Sequence, residues 1–184
     1  MNGETKGVVV SVTIRMATAD DAGALHELAS ATFALACPPG TTQRDVDDFV
    51  AANLSAERFA AYLADPHREL LVAVDDGFVG YTMLVYEEPK DADVAAAIVS
   101  RPTVELSKCY LLPGWHGAGV SSALMTSTLD AARSRGTAGV WLGVNQENAR
   151  ANSFYEKHGF RIAGTKKFLV GDQWHDDYTR ELVF

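Results

Sequence analysis

The stretch LLPGWHGAGVSSALM, Leu111 to Met125, constrains this chain most. Pro113 ends an apolar run, glycines at 114, 117 and 119 make a tight loop, and a helical pattern starts at once. A glycine-rich loop opening into a helix offers free backbone N–H groups and the positive end of the helix dipole to an anion. Two familiar loops of this kind are excluded. A P-loop ends in Gly-Lys-Ser/Thr, whereas Gly119 is followed by Val120 and Ser121. A dinucleotide fingerprint finds its first half in Gly117 and Gly119, but Ser122 stands where the third glycine belongs, and no acidic residue follows about 20 positions on.

The flanks of the loop set the local topology. VELSKCYLL (Val104 to Leu112) reads as a strand. Simple alternation places Glu105, Ser107 and Cys109 on one face and Leu106, Lys108 and Tyr110 on the other. A helix is expected from Gly117 to about Arg135, its apolar face made of Val120, Ala123, Leu124, Met125, Leu129 and Ala132, with Gly136 ending it. GVWLGV (Gly139 to Val144) is apolar on both faces, as a strand inside a sheet would be. Strand, helix and strand in about 40 residues make a βαβ unit with a parallel pair.

Elsewhere the signals favour antiparallel strands. Val8 to Arg15 is β-branched, and Thr18 caps a helix that follows it. Ala36 to Thr42 is a loop, with short helices expected near Arg44 to Ala52 and Ala56 to Ala64. Glu69 to Glu88 reads as a hairpin about Asp75-Asp76-Gly77, and Asp91 to Ser100 as a short helix. A helix from Glu147 to Gly159 precedes two strands, Phe160 to Val170 and Trp174 to Val183, joined by Gly171-Asp172. With 184 residues and 47% hydrophobic content, residues 1–184 form one domain, with 1–11 as an N-terminal extension.

The net charge of −8 argues against nucleic acid, whose phosphates need clustered Lys and Arg. Cys37 and Cys109 make neither a disulfide framework nor a metal pair. His175, Asp176 and Asp177 alternate faces of a strand and do not converge, so no metal is expected. No apolar run reaches the roughly 20 residues of a membrane helix, and the first residues lack a signal peptide's pattern. The expected location is cytoplasmic, with no membrane partner.

Two segments together resemble the GCN5-related N-acetyltransferases (GNAT). YLLPGWHGAGVSSALM is similar to that family's strand–loop–helix with Gln/Arg-Gly-x-Gly-x-Gly/Ala, and VNQENARANSFYEKHGF (Val144 to Phe160) to its Asn-x-x-Ala-x-x-Phe-Tyr-x-Lys-x-Gly-Phe run. The resemblance implies an α/β acyl-coenzyme A acyltransferase fold. Its mixed, mostly antiparallel sheet has about six or seven strands flanked by helices, with a parallel βαβ unit for the cofactor. It implies acetyl-CoA as co-substrate, its pyrophosphate held by backbone N–H groups from His116 through Gly117, Ala118, Gly119, Val120 and Ser121 to Ser122, with Tyr110, Leu111 and Leu112 beside the thioester arm. His116 replaces the family's Gln/Arg and Ser121 its last Gly/Ala.

The implied reaction is transfer of acetyl to a primary amine of a small molecule or peptide, by direct attack through a tetrahedral intermediate. Tyr155, from the Phe-Tyr motif, would be the acid that protonates the departing thiolate; otherwise it packs between helix and sheet. Asn148 would bond the cofactor, or else only cap its own helix. Glu105 would be the general base, or else a solvated strand carboxylate, with Glu87, Glu88 and Asp177 in reserve. A backbone N–H near Leu111 would meet the oxyanion. A buried structural role suits Cys109 better than a covalent acyl-enzyme. Phe33, Cys37, Pro38, Pro39, Tyr81 and Tyr86 are expected at the acceptor end, and Glu87 and Glu88 favour a cationic amine. A non-catalytic acyl-CoA sensor on the same fold is the alternative, and a homodimer is left open.

Overall fold

The computed structural model describes residues 12–37, 39–116 and 119–184. Pro38, Gly117, Ala118 and the part of the first expected strand before Val12 lie outside them. Seven strands form one sheet in the order β1-β2-β3-β4-β5-β7-β6. They are β1 (Thr13–Met16), β2 (Arg68–Val74), β3 (Phe78–Val85), β4 (Thr103–Leu111), β5 (Gly139–Asn145), β6 (Arg161–Val170) and β7 (Gln173–Val183). The β4–β5 pair is parallel and every other neighbouring pair is antiparallel.

Helices cover both faces: α1 (Ala22–Ala36), α2 (Gln43–Asn53), α3 (Ala56–Ala64), α4 (Ala92–Ala97), α5 (Val120–Ser134) and α6 (Ala149–Lys157). Their ends follow local chemistry. Thr42 accepts from the Asp45 N–H, Ser55 from the Arg58 N–H, and Asp91 from two N–H groups of α4. A 3-10 turn at Ala19–Asp21 leads into α1, where the Asp21 carboxylate accepts the Thr18 N–H at 2.7 Å. One core packs α1, α2 and α3 against β2 and β3 through Leu25, Phe33, Phe59 and Tyr81. The opposite core packs α5 and α6 against β4 and β5 through Met125, Leu129, Leu142 and Phe160.

Two sequence expectations change. Ala123 is exposed, while Ser121 and Thr128 are buried in its place. Thr128 belongs inside because its hydroxyl donates to the Leu124 carbonyl and meets Thr82 Oγ1 at 2.8 Å. The second change is in β4. Met83 faces Lys108, but the next residue, Leu84, faces Leu106, so Ser107 is an extra residue, a β-bulge. A bulge reverses the alternation beyond it. Glu105, Lys108 and Tyr110 therefore share the face under α1–α3, while Val104, Leu106 and Cys109 pack on the α5–α6 side. The expected grouping of Glu105 with Ser107 and Cys109 is broken there.

Candidate active site

The parallel ladder is short. Thr103, Val104 and Glu105 pair with Gly139, Val140 and Trp141, yet β4 continues to Leu111 and β5 to Asn145. Beyond Glu105 the two strands diverge, and a cavity of about 630 Å³ occupies the gap. Its walls come from both faces of the sheet. Glu105, Lys108 and Tyr110 reach it from β4, Phe33 and Cys37 from α1, Phe49 from α2, and Lys166 and Phe168 from β6. Asn148, Ala151 and Tyr155 enter from α6, and His116 and Ser121 from the start of α5.

Gly119 caps α5 with φ +79°, a left-handed conformation that favours glycine, and a Cβ there would meet nothing within 4 Å. The 15-residue helix directs its positive end at this junction. Ser121 Oγ lies 3.4 Å from the His116 carbonyl. Partial burial and the nearby Arg150 lower the His116 imidazole from its ordinary value, opposed by a hydrogen bond with the Leu111 backbone.

Burial dominates the electrostatics of the gap. It drives the Tyr155 hydroxyl well above the ordinary phenol value, and this hydroxyl stands against the Cys109 thiol, itself pushed up to about 12. Such a thiol stays protonated and is no nucleophile, in line with the structural role expected for it. Burial raises Glu105 above the usual carboxylate range, opposed by Lys166 and Lys108. Lys108 falls to about 8, again through burial. Asp177 rises to about 6 by burial, against the pull of Lys166 and His175. The helix carrying Tyr155 is tied to the sheet by Arg180, whose Nε donates to Asn152 Oδ1 at 2.9 Å and whose Nη1 donates to the Phe160 carbonyl at 3.1 Å.

Among the residues singled out from sequence, Glu105, Tyr110, Leu111, His116, Ser121, Asn148 and Tyr155 line this one cavity. Leu112, Gly119, Val120 and Ser122 are not on its wall: Leu112 joins the α1–α3 core and Val120 is buried beneath α5. Gly117 and Ala118 lie outside the described residues. Asn148 does cap its helix, its Oδ1 accepting the Ala151 N–H at 3.0 Å, while also lining the cavity.

The acceptor-end expectations divide. Phe33 and Cys37 line the cavity and Pro39 a smaller one beside it. Tyr81 is wholly buried in the core, and Tyr86 bonds Glu69 at 2.6 Å under Arg135. Glu87 and Glu88 are off the cavity wall, in surface ion pairs with Lys90 and Arg101, although the Glu87 charge still bears on Glu105. Sequence reasoning missed Phe49, Phe168, Lys166 and Lys108. Phe33 and Phe49 stack at 4.3 Å and Phe168 meets Phe49 edge-on at 6.2 Å. No local motif marks these residues; the β6–β7 register and the bulge bring them in.

Solved N-acetyltransferases share this fold. The PaiA N-acetyltransferase of Thermoplasma acidophilum, solved with coenzyme A, matches at TM-score 0.76 and 20% identity over 95% of this chain and 99% of that one. Arabidopsis thaliana NAA60, solved with a bisubstrate analogue, matches at TM-score 0.71 and 16% identity over 95% of this chain and 99% of its own. The sequence model of the acetyltransferase (GNAT) family matches residues 30–160, and the chain belongs to that family. An uncharacterized N-acetyltransferase of Mycobacterium tuberculosis is 48% identical over 166 residues, 89% of this chain and 99% of the relative. No described helix is long and apolar enough to cross a membrane.

Proposed function

We propose that this protein transfers the acetyl group of acetyl-CoA to a primary amine of a small molecule or peptide. The observation that carries the reading is the gap past Glu105, where a half-buried phenol and a half-buried carboxylate reach one cavity from opposite faces of the sheet. The residues present fit the co-substrate. The α5 N-terminus, Ser121 and the nearby Arg150 suit a diphosphate, and Leu111, Val144 and Ala151 suit an apolar thioester arm. The relative solved with coenzyme A supports the same assignment.

Acetyl-CoA supplies the activated acyl group; the chain handles the protons. Glu105, a stronger base than an ordinary carboxylate, takes a proton from the incoming ammonium. The amine nitrogen then bonds to the acyl carbon and the carbon–sulfur bond breaks. A β4 backbone N–H near Leu111, beyond the end of the parallel ladder, meets the oxyanion. Tyr155 keeps its proton at neutral pH and delivers it to the departing sulfur.

Thiol release against a panel of amines tests this. Tyr155→Phe keeps the edge contact with Phe160 at 5.8 Å and loses only the hydroxyl. Turnover should fall about 10²- to 10⁴-fold with thioester affinity unchanged. Equal turnover removes Tyr155 from the acid role. Thioester binding with no turnover of any amine would replace the enzyme by a sensor.

A further inference from the structure

We propose that Asp177 anchors the acceptor's ammonium, and that the acceptor carries this group on a flat apolar body lodged against Phe33, Phe49 and Phe168. For the ligand's identity as acceptor, the inference rests on the acetyl-transfer reading. Asp177 is 5% exposed and lines the cavity, and its Oδ1 is buried with no hydrogen-bond partner. A buried carboxylate oxygen left unpaired is costly, and a cation bound beside it relieves that cost.

The chain's own lysine outlines what the place accepts. Lys166 faces Asp177 across the β6–β7 ladder and lies over Gly143 of β5. A Cβ at Gly143 would run into Lys166 Cε, lie 2.9 Å from its Nζ and stand 3.5 Å from Asp177 Oδ2. The absence of a side chain at 143 is thus what admits an ammonium here. The Nζ sits 5.9 Å from the Trp141 ring and 5.8 Å from the Phe168 ring, within cation–π reach of both. Two π faces and a buried carboxylate are the chemistry of ammonium recognition. Glu105 pairs with Trp141 at the closed end of the gap, whereas Asp177 pairs with Asn145 at its open end. The two carboxylates share one face of the sheet, Asp177 receiving the ammonium and Glu105 lying deeper along its path to the thioester. The stacked Phe33 and Phe49 with Phe168 make the adjoining wall, which suits a flat apolar body.

Calorimetry on the coenzyme A-loaded protein, with 2-phenylethylamine and the uncharged 2-phenylethanol as probes, tests the anchor without requiring turnover. The wild type should bind the amine at least tenfold more tightly than the alcohol. Asp177→Asn, nearly isosteric, should abolish that preference. Lys166→Met should strengthen amine binding by removing a competing ammonium, and it keeps the proposal testable if Asp177→Asn fails to fold. A preference that survives Asp177→Asn, equal or absent binding of both probes by the wild type, or a preference lost in Lys166→Met each overturns it. Acetylation is scored separately over the amine panel: binding of the probe with no turnover of any amine leaves the anchor standing and defeats the transfer reading.

Discussion

Gly119 permits a controlled test of the anion cradle. Its φ of +79° burdens any L-residue there, and its Cβ position faces open space. Alanine and glutamate at 119 therefore share one strain, about 1–2 kcal/mol, and neither Cβ clashes with the protein. They differ in charge. At an effective dielectric of about 20, a carboxylate about 5 Å from one phosphate charge is repelled by about 3 kcal/mol. That corresponds to roughly 100- to 200-fold in affinity. Both variants should lose similar stability in thermal unfolding, with the glutamate favoured slightly by the helix N-terminus. In calorimetry with coenzyme A, Gly119→Glu should bind about two orders of magnitude more weakly than Gly119→Ala, and salt near 1 M should shrink the gap. If the glutamate variant binds as tightly as the alanine variant, no phosphate lies at the head of α5, and the reasoning fails.

Two stability predictions accompany it. Thr128 donates to Leu124 and so must accept from Thr82, both residues being fully buried. Thr128→Val should cost about 1–3 kcal/mol in chemical denaturation by stranding the Thr82 hydroxyl, and the Thr82→Val/Thr128→Val pair less than the sum of the singles; strict additivity would contradict the hydrogen bond. Asp21 is held down to about 2 chiefly by the Arg15 hydrogen bond, at 2.7 Å. Because its folded pKa is depressed, its stabilisation is present above the ordinary value of 3.8 and is lost as pH falls toward 2. Arg15 is 40% exposed, so solvent screening reduces the pair to about 1 kcal/mol. Asp21→Asn should lose that amount at pH 7 and almost none near pH 2; an equal loss at both would refute the linkage.

Much of the fold was legible in the chain because its signals are short-range. The 75–77 turn, the glycine ending α5 and the glycine-rich junction before it all act over a few residues. The parallel β4–β5 pair followed from the strand–helix–strand order; that unit carries Glu105 and His116 to one cavity, and α6, directly after it, carries Tyr155 there. The resemblance to a family rested on the loop of this unit together with the Val144 to Phe160 segment that follows it, and the family match spans both.

What tertiary structure alone decided was which side chains face one another across the gap. Ser107 has no glycine or proline to announce a bulge, yet one extra residue there moves Lys108 and Tyr110 to the face of Glu105 and sends Cys109 to Tyr155. Asp177 and Lys166 meet only through the register of the β6–β7 hairpin laid beside β5, and Phe168 reaches Phe49 of α2 only once that hairpin has docked. Strand side chains alternate with a period of two, so the face each presents depends on pairings between distant segments. Local sequence wrote the glycine-rich loop; long-range registry assembled the opposite wall of the cavity.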